Sequence, residues 1–284
     1  MGRAKTLALA GAAALMSTAS LAADVSLPAP VPMPVPVVAG GWYLRGFVGS
    51  SNEFLGGSGI THPDYLTAPQ FGFLDQGGFN AAPFGGGGIG YQWNNWFRVD
   101  ATIEYRGGAQ FSALDRFFNP FQGFDQFGNQ NPGRWNTNQY TATKSELVGL
   151  VNAFVDLGTW WCITPYIGAG AGFAQIKIDH FRDTNVMQGA GGWADQGTKS
   201  NFAWALHAGL AYKVTERFAI ELGYRYLNVG NGESGILLNQ DPTVFPNTFA
   251  PVTFHNIQSH DIILGMRWML VPEASPPVPF IRKG

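Results

Sequence analysis

Cysteine is almost missing from this chain: Cys162 stands alone among 284 residues. No intramolecular disulfide can form, so no disulfide framework holds the fold. Charge is sparse too, with 13% Asp, Glu, Lys and Arg and a formal net charge of −2. A nucleic-acid binder needs a basic face, and a weakly acidic chain does not suit that role. Few Lys and Glu also argue against a soluble helical protein. Long apolar runs are lacking as well. The most apolar stretch, Leu147 to Ile178, is interrupted by Asp156, Pro165 and repeated glycines. It does not make a 20-residue membrane helix, and its halves fit two strands around Gly158-Thr-Trp-Trp-Cys162.

Glycine and aromatics are what the chain has in excess: 38 Gly, 22 Phe, 9 Trp and 9 Tyr. That mixture suits short strands whose outer faces meet lipid. The amino terminus agrees. Arg3 and Lys5 precede an apolar run from Thr6 to Met16, and Ser17 to Ala23 supplies small residues around a cut after Ala22 or Ala23. Residues 1–23 therefore read as a secretory signal peptide, too short in its apolar part to span a bilayer. No Cys at the cut offers a lipid acceptor. Removal of the signal takes two basic residues and leaves a mature charge of −4. Residues 24–41 are Pro-rich and nearly uncharged, which predicts an extended periplasmic linker.

From Trp42 the pattern alternates with a period of two. In Phe97 to Arg106 one face is Phe97, Val99, Ala101, Ile103 and Tyr105, and the other is Arg98, Asp100, Thr102, Glu104 and Arg106. Side chains alternate across a strand, so one face is apolar and the other charged. Eight such segments are expected, at roughly 42–49, 84–93, 97–106, 144–157, 163–178, 202–213, 218–228 and 257–269. Three links are tight (94–96, 158–162, 214–217) and four are long (50–83, 107–143, 179–201, 229–256). Strict alternation of short and long links predicts an all-β, eight-stranded antiparallel up-and-down transmembrane barrel over 42–270. Both termini then lie on the short-turn side, followed by a Pro-rich tail at 271–284. Trp42, Trp93, Trp96, Trp160, Trp161 and Trp268 recur at segment ends, where interfacial rings belong.

Enzymatic motifs do not survive inspection. Gly85 to Gly90 and Gly168 to Phe173 only superficially resemble phosphate loops, since no Gly-Lys-Ser/Thr follows and no strand–turn–helix unit surrounds them. Glycines at 168, 170 and 172 read instead as bare inner wall that makes room for long neighbours. The histidines 62, 180, 207, 255 and 260 lack metal-ligand spacing. His180 with Asp179 or Asp183 fits a solvated rim better than a catalytic set. No catalytic residue, metal or cofactor is expected.

Two other groups carry signal. The register points Arg45, Arg98, Asp100, Glu104, Glu146, Asp156, Glu221, Arg225, Asp261 and Arg267 inward, with Arg106 beside them. An eight-stranded lumen is about filled by side chains, so these charges should pair. A narrow gated pore is the other reading. The second group is aromatic: Phe117, Phe118, Phe121, Phe124 and Trp135 stand among Asn, Gln and Gly in the second long link. They either bind a host or small-molecule partner or pack on one another.

Gly41-Trp-Tyr-Leu-Arg-Gly46, Ile89-Gly-Tyr-Gln-Trp-Asn-Asn-Trp-Phe-Arg-Val99, Thr164-Pro-Tyr-Ile-Gly-Ala-Gly-Ala-Gly172, Leu222-Gly-Tyr-Arg-Tyr-Leu227 and His260-Asp-Ile-Ile-Leu-Gly-Met-Arg-Trp268 follow in order. In this order, after a signal peptide and Pro-rich spacer, the chain resembles small alphaproteobacterial outer-membrane proteins of the opacity-like, immunogenic-antigen family. The resemblance covers most strands but not the loops. It implies an abundant, surface-exposed eight-stranded barrel in the cell outer membrane, with haemin binding in some members. Family chains usually end on the aromatic residue that the barrel-assembly machinery reads, whereas Trp268 here precedes sixteen further residues. The expected role is structural support of the envelope, with outer-membrane lipid and lipopolysaccharide as surroundings. A small porin or ligand-uptake barrel is the alternative.

Overall fold

The alternation of charged and apolar residues has one closed solution, a cylinder with its charges inside. The computed structural model describes residues 40–56, 59–61, 70–120, 124–187, 191–239 and 250–270. It contains β1 (Gly41–Leu55), β2 (Ile60–Thr61), β3 (Phe71–Phe79), β4 (Ala82–Gln92), β5 (Phe97–Asn119), β6 (Arg134–Asn136), β7 (Asn138–Asp156), β8 (Ile163–Asn185), β9 (Gly191–Ala194), β10 (Gly197–Lys213), β11 (Phe218–Glu233), β12 (Leu237–Asn239) and β13 (Thr253–Met269). Eight long strands pair antiparallel in the order β1–β4–β5–β7–β8–β10–β11–β13, and β13 returns to β1. The ring has no free edge, which removes the unpaired backbone groups that lipid cannot satisfy. All eight expected segments are staves of this ring. The first opens at Gly41, one residue earlier than expected. The expected signal peptide, nearly all of the linker and the tail lie outside the described residues.

Local chemistry sets the three tight turns. Asn94 Oδ1 accepts the backbone N–H of Trp96 at 3.0 Å and of Phe97 at 2.8 Å. Thr215 Oγ1 does the same for Arg217 and Phe218 at 3.2 and 3.0 Å. Both are side-chain mimics of a turn. Between β7 and β8, Trp160 and Ile163 exchange both backbone hydrogen bonds at 2.9 Å. Trp161 and Cys162 between them take positive φ of 50° and 68°, as a two-residue hairpin with the right twist demands.

Among the described residues the four long links begin and end as strand, a detail the sequence reading did not anticipate. β5 runs to Asn119, β7 begins at Asn138 and β8 reaches Asn185, while β3 and β6 pair with β5. Much of each expected loop is therefore strand carried beyond the first barrel segment. The continuation passes through residues of positive φ: Gly108, His180, Gly230 and Asn256. In each strand the ladder shifts register or skips a residue at that point.

The outer face changes along the strands. Near the short turns it is apolar, with Leu44, Ile103, Leu206, Leu222 and Leu264 all exposed. Past this belt the outward residues are Gln110, Ser112, Thr141 and Ser200. The inner face changes in the opposite sense. It is charged behind the belt, and apolar beyond it, where Phe79, Phe111, Ile176, Ile178, Phe181 and Phe254 form a buried core. Nitroxide labels at Ile103, Leu222 and Leu264 in vesicles are expected to meet oxygen and escape a water-soluble relaxant. Labels at Ser112 and Thr141, on the same β-structure, are expected to do the reverse. Oxygen-dominated relaxation at Ser112 and Thr141 would place the whole strand length in lipid and overturn this division.

Candidate functional site

The inward charges are delivered by strand parity, and glycines on β4 and β8 make room for the bulky side chains among them. A Cβ on Gly90 would lie 2.2 Å from the Tyr43 ring, and one on Gly170 would lie 2.1 Å from Asn152 Oδ1. Bare wall at these positions lets Tyr43, Asn152, Phe154 and the arginines reach the barrel axis. The expected inward set, Arg45, Arg98, Asp100, Glu104, Glu146, Asp156, Glu221, Arg225, Asp261 and Arg267, is buried in its entirety.

The charges pair, as their confinement requires, and they do so in two layers. The layer nearer the short turns centres on an anion. Glu221 faces Arg45 at 3.2 Å, Arg98 at 3.5 Å and Arg267 at 3.5 Å. Arg45 also meets Asp100 at 3.1 Å, and Arg98 meets Asp156 at 3.3 Å. The second layer centres on a cation. Arg106 grips Asp261 with two nitrogens at 2.8 and 3.0 Å and meets Glu146 at 3.0 Å, Glu104 at 3.4 Å and Glu53 at 3.6 Å. Arg225 holds Glu104 through two 2.7 Å bonds and Asp261 through Nε at 2.9 Å. Paired forks of this kind are the strong form of the contact. Arg225 therefore does not pair with Glu221, because Asp261, its direct cross-strand neighbour, and Glu104 already occupy its donors.

Aromatic rings fill the space between guanidinium groups. Phe84 lies between Arg106 and Arg225, at 4.9 and 5.1 Å, and Phe154 lies under Arg98 at 4.3 Å and Arg45 at 5.0 Å. Where the layers meet, neutral groups do the joining. His207 Nε2 bonds Asn152 Oδ1 at 3.1 Å, and Asn152 Nδ2 donates to Asp100 at 2.8 Å. A cavity of about 10 Å³ remains between Arg45, Thr102, Asn152, His207 and Arg225, roughly room for one water.

Sequence reasoning missed Glu53, Lys144, Asn152 and His207. Lys144 bonds Glu146 and meets Glu53 at 2.6 Å. Counting in twos from Arg45 reaches Glu53, and from Glu146 reaches Lys144, so parity held the signal. Reading the first strand as ended at 49 concealed Glu53, while Lys144 lay at the edge of its expected segment and was not counted with the inward charges.

The loop aromatics divide. Phe111 and Tyr140 are buried in the apolar core, and Tyr140 hydrogen-bonds Asp115. Phe118 packs edge-on to Trp135 at 5.6 Å, and Arg116 lies 5.0 Å over the Trp135 ring. Phe117 is half-buried at the end of β5, while Phe124, Phe127 and Trp135 are exposed. Phe121 lies outside the described residues. Between the exposed rings Asp125 accepts from Phe127 N and Asn129 N at 2.8 Å and from Asn129 Nδ2 at 3.0 Å. The Asn129 amide thereby holds the Asp125 carboxyl below the usual carboxylate range. His180 is exposed at its bulge, and Asp179 pairs with Lys177 at 2.9 Å.

Residues 7–258 match the family model described as an outer membrane protein beta-barrel domain. The chain belongs to the outer membrane beta-barrel family. Its place is the cell outer membrane. Relatives of this barrel include an uncharacterised protein of Brucella suis, 32% identical over 68% of this chain and 70% of that one. The outer membrane protein PagN of Salmonella typhimurium is 34% identical over 28% of this chain and 33% of its own. Among solved structures, OprG of Pseudomonas aeruginosa aligns at 12% identity over 81% of this chain and 97% of that one, with a TM-score of 0.43. Neisserial surface protein A gives 13% identity over the same shares and a TM-score of 0.38.

The two layers make different demands on partners. Reversing Glu221 to Arg confines four cations together. Breaking a buried pair costs about 3–5 kcal/mol, so the barrel's gel heat-modifiability temperature is expected to drop sharply. Arg98→Glu is expected to recover part of the loss and Arg225→Glu none, because of these two arginines only Arg98 touches Glu221. Equal rescue by both would show one mixed network.

Proposed function

We propose that this barrel is a closed, non-catalytic structural element of the outer membrane that carries β-hairpins beyond the lipid surface. The observation that carries the reading is the filled lumen. Two charge layers occupy it behind the apolar belt, and an apolar core caps it beyond. A solute would have to break several buried ion pairs in each layer, at a few kcal/mol apiece. Neutral residues such as Asn152 and His207 link the layers and leave no charged passage between them. The relatives' family is one of barrels, and among the described residues no set in the lumen is arranged as nucleophile, base and orienting group. That supports a role without chemistry.

A second reading, ligand capture at the outer hairpins, is favoured by the exposure of Phe124, Phe127 and Trp135. Haemin and other planar ligands stack on such rings. The two readings separate in planar bilayers and in a binding titration. The purified barrel is expected to give no step conductance and no haemin spectral shift. Reproducible conductance steps that change ion selectivity in Glu104→Gln would replace the structural reading with a porin. A haemin shift abolished by Trp135→Ala would replace it with ligand capture.

A further inference from the structure

On the lipid side of the wall lies a hollow of about 500 Å³, within the size range of ligand cavities. Its floor is Val99 and Ala101 on β5. Ile89, Tyr91 and Trp93 rise on one side and Val151 on the other. Cross-strand register explains the shape. Ala101 is the small residue in an outward row between Ile89 and Val151, and each of those is its direct neighbour on an adjacent strand. At the short-turn end a ladder of rings closes the hollow: Trp42 packs on Tyr91 at 5.3 Å, and Tyr91 packs on Trp93 at 5.0 Å.

The wall beside the hollow is smooth, and the barrel's own packing accounts for only part of it. β4 carries glycine on both faces. The inward ones, Gly86, Gly88 and Gly90, are required, since a Cβ there would lie 2.5, 2.1 and 2.2 Å from its nearest neighbour. Of the outward glycines, Gly87 would bring a Cβ to 3.1 Å from the Arg45 carbonyl, whereas Gly85, and Gly46 on β1, have 3.7 Å to the nearest atom, ordinary contact distance. A side chain fits there, yet none is present. Absent bulk on the lipid face admits an external body.

We propose that this hollow holds an acyl chain of an inner-leaflet phospholipid, seated over Ala101 with its headgroup at the Trp42–Tyr91–Trp93 ladder. Three observations select that occupant. The hollow lies in the apolar belt, so hydrocarbon is what surrounds it. Its outward side chains are apolar or aromatic, and the one acid of its lining, Asp100, is buried with its carboxylate on Arg45, so the hollow suits a hydrocarbon chain rather than a polar solute. The ring ladder sits at the short-turn end, which the barrel topology assigns to the periplasmic side, where indole and phenol edges meet headgroups. That depth belongs to phospholipid of the inner leaflet and not to lipopolysaccharide. A retained chain fills the void without any change in the lumen, so the proposal is independent of whether the barrel conducts.

Native mass spectrometry of the full barrel, extracted from outer membranes in mild detergent, tests this. The wild type is expected to carry one adduct of phospholipid mass. Ala101→Trp fills the hollow and is expected to reduce the adduct at least tenfold. Ala208→Trp, outward on β10 in the same belt, is expected to leave it unchanged. Val151→Ala lowers one wall without adding bulk, so it reads the site even where the tryptophan variant fails to insert, and a loss of about threefold is expected. An adduct unaffected by both Ala101→Trp and Val151→Ala, or no adduct on the wild type, overturns the proposal. A lipopolysaccharide mass at this site, or a two-chain mass abolished by Ala101→Trp, also overturns it, assigning the hollow to the outer leaflet or to a second barrel.

Discussion

Six cations and seven acids of the two layers share an inner wall from which water is nearly excluded, so each must find its counterion within the protein. Neither layer is a set of isolated pairs. One is an anion, Glu221, ringed by three arginines, and the other a cation, Arg106, ringed by four carboxylates. Such hubs spread each charge over several partners from different strands, and this ties the staves together across the lumen as well as along the ladder. The rest follows from making room for them. Glycine lines β4 and the first half of β8 because long side chains from neighbouring strands must cross the axis. The apolar belt is outside because strand parity has put the charges inside.

The join between the layers obeys the same constraint. His207 stands directly opposite Arg225 on the neighbouring strand and opposite Gly168 on the other. A cation at this position would face Arg225 and Arg45 with no free carboxylate, since Asp100 already accepts from Arg45, Tyr43 and Asn152. A hydrogen bond to a neutral amide is the contact that remains. Asn152 therefore ties His207 to Asp100 of the first layer without adding charge to it.

The staves and the inward charges were legible because both rest on parity, which a sequence displays without knowledge of partners. The upper half was not legible, and the cause lies in particular residues. Gly108, His180, Gly230 and Asn256 sit in left-handed backbone within or beside long strands. Residues that adopt this conformation in a bulge are those that adopt it in a turn, so the chain reads as broken at each. Which inward charges meet was also hidden. Arg225 and Glu221 lie four apart on one strand and both face the axis, yet register with β13 and β5 gives them different partners. Pairing across a lumen depends on stagger between strands, and alternation along one strand carries no record of it.

The reversal of faces beyond the belt follows from the change of outer solvent. In β8 the outward residues pass from Ile167 and Phe173 to Gln175 and Lys177, and the inward ones change in step to Ala174, Ile176 and Ile178. In β11 the outward Leu222 and Tyr224 give way to Asn228, with Leu227 and Val229 inside. β5 reaches the same result differently. Its apolar residues stay on odd positions from Phe97 to Ala113, and the bulge at Gly108 turns the strand over, so that Ile103 faces out but Phe111 faces in. Composition does in two strands what backbone geometry does in the third. A strand that crosses from lipid to water must exchange its faces, and one extra residue in the ladder achieves this without altering the alternation of the sequence. The bulge in β5 is thus the point at which a membrane barrel with a charged interior becomes a water-exposed barrel with an apolar one, and the hydrogen-bonded wall continues through it.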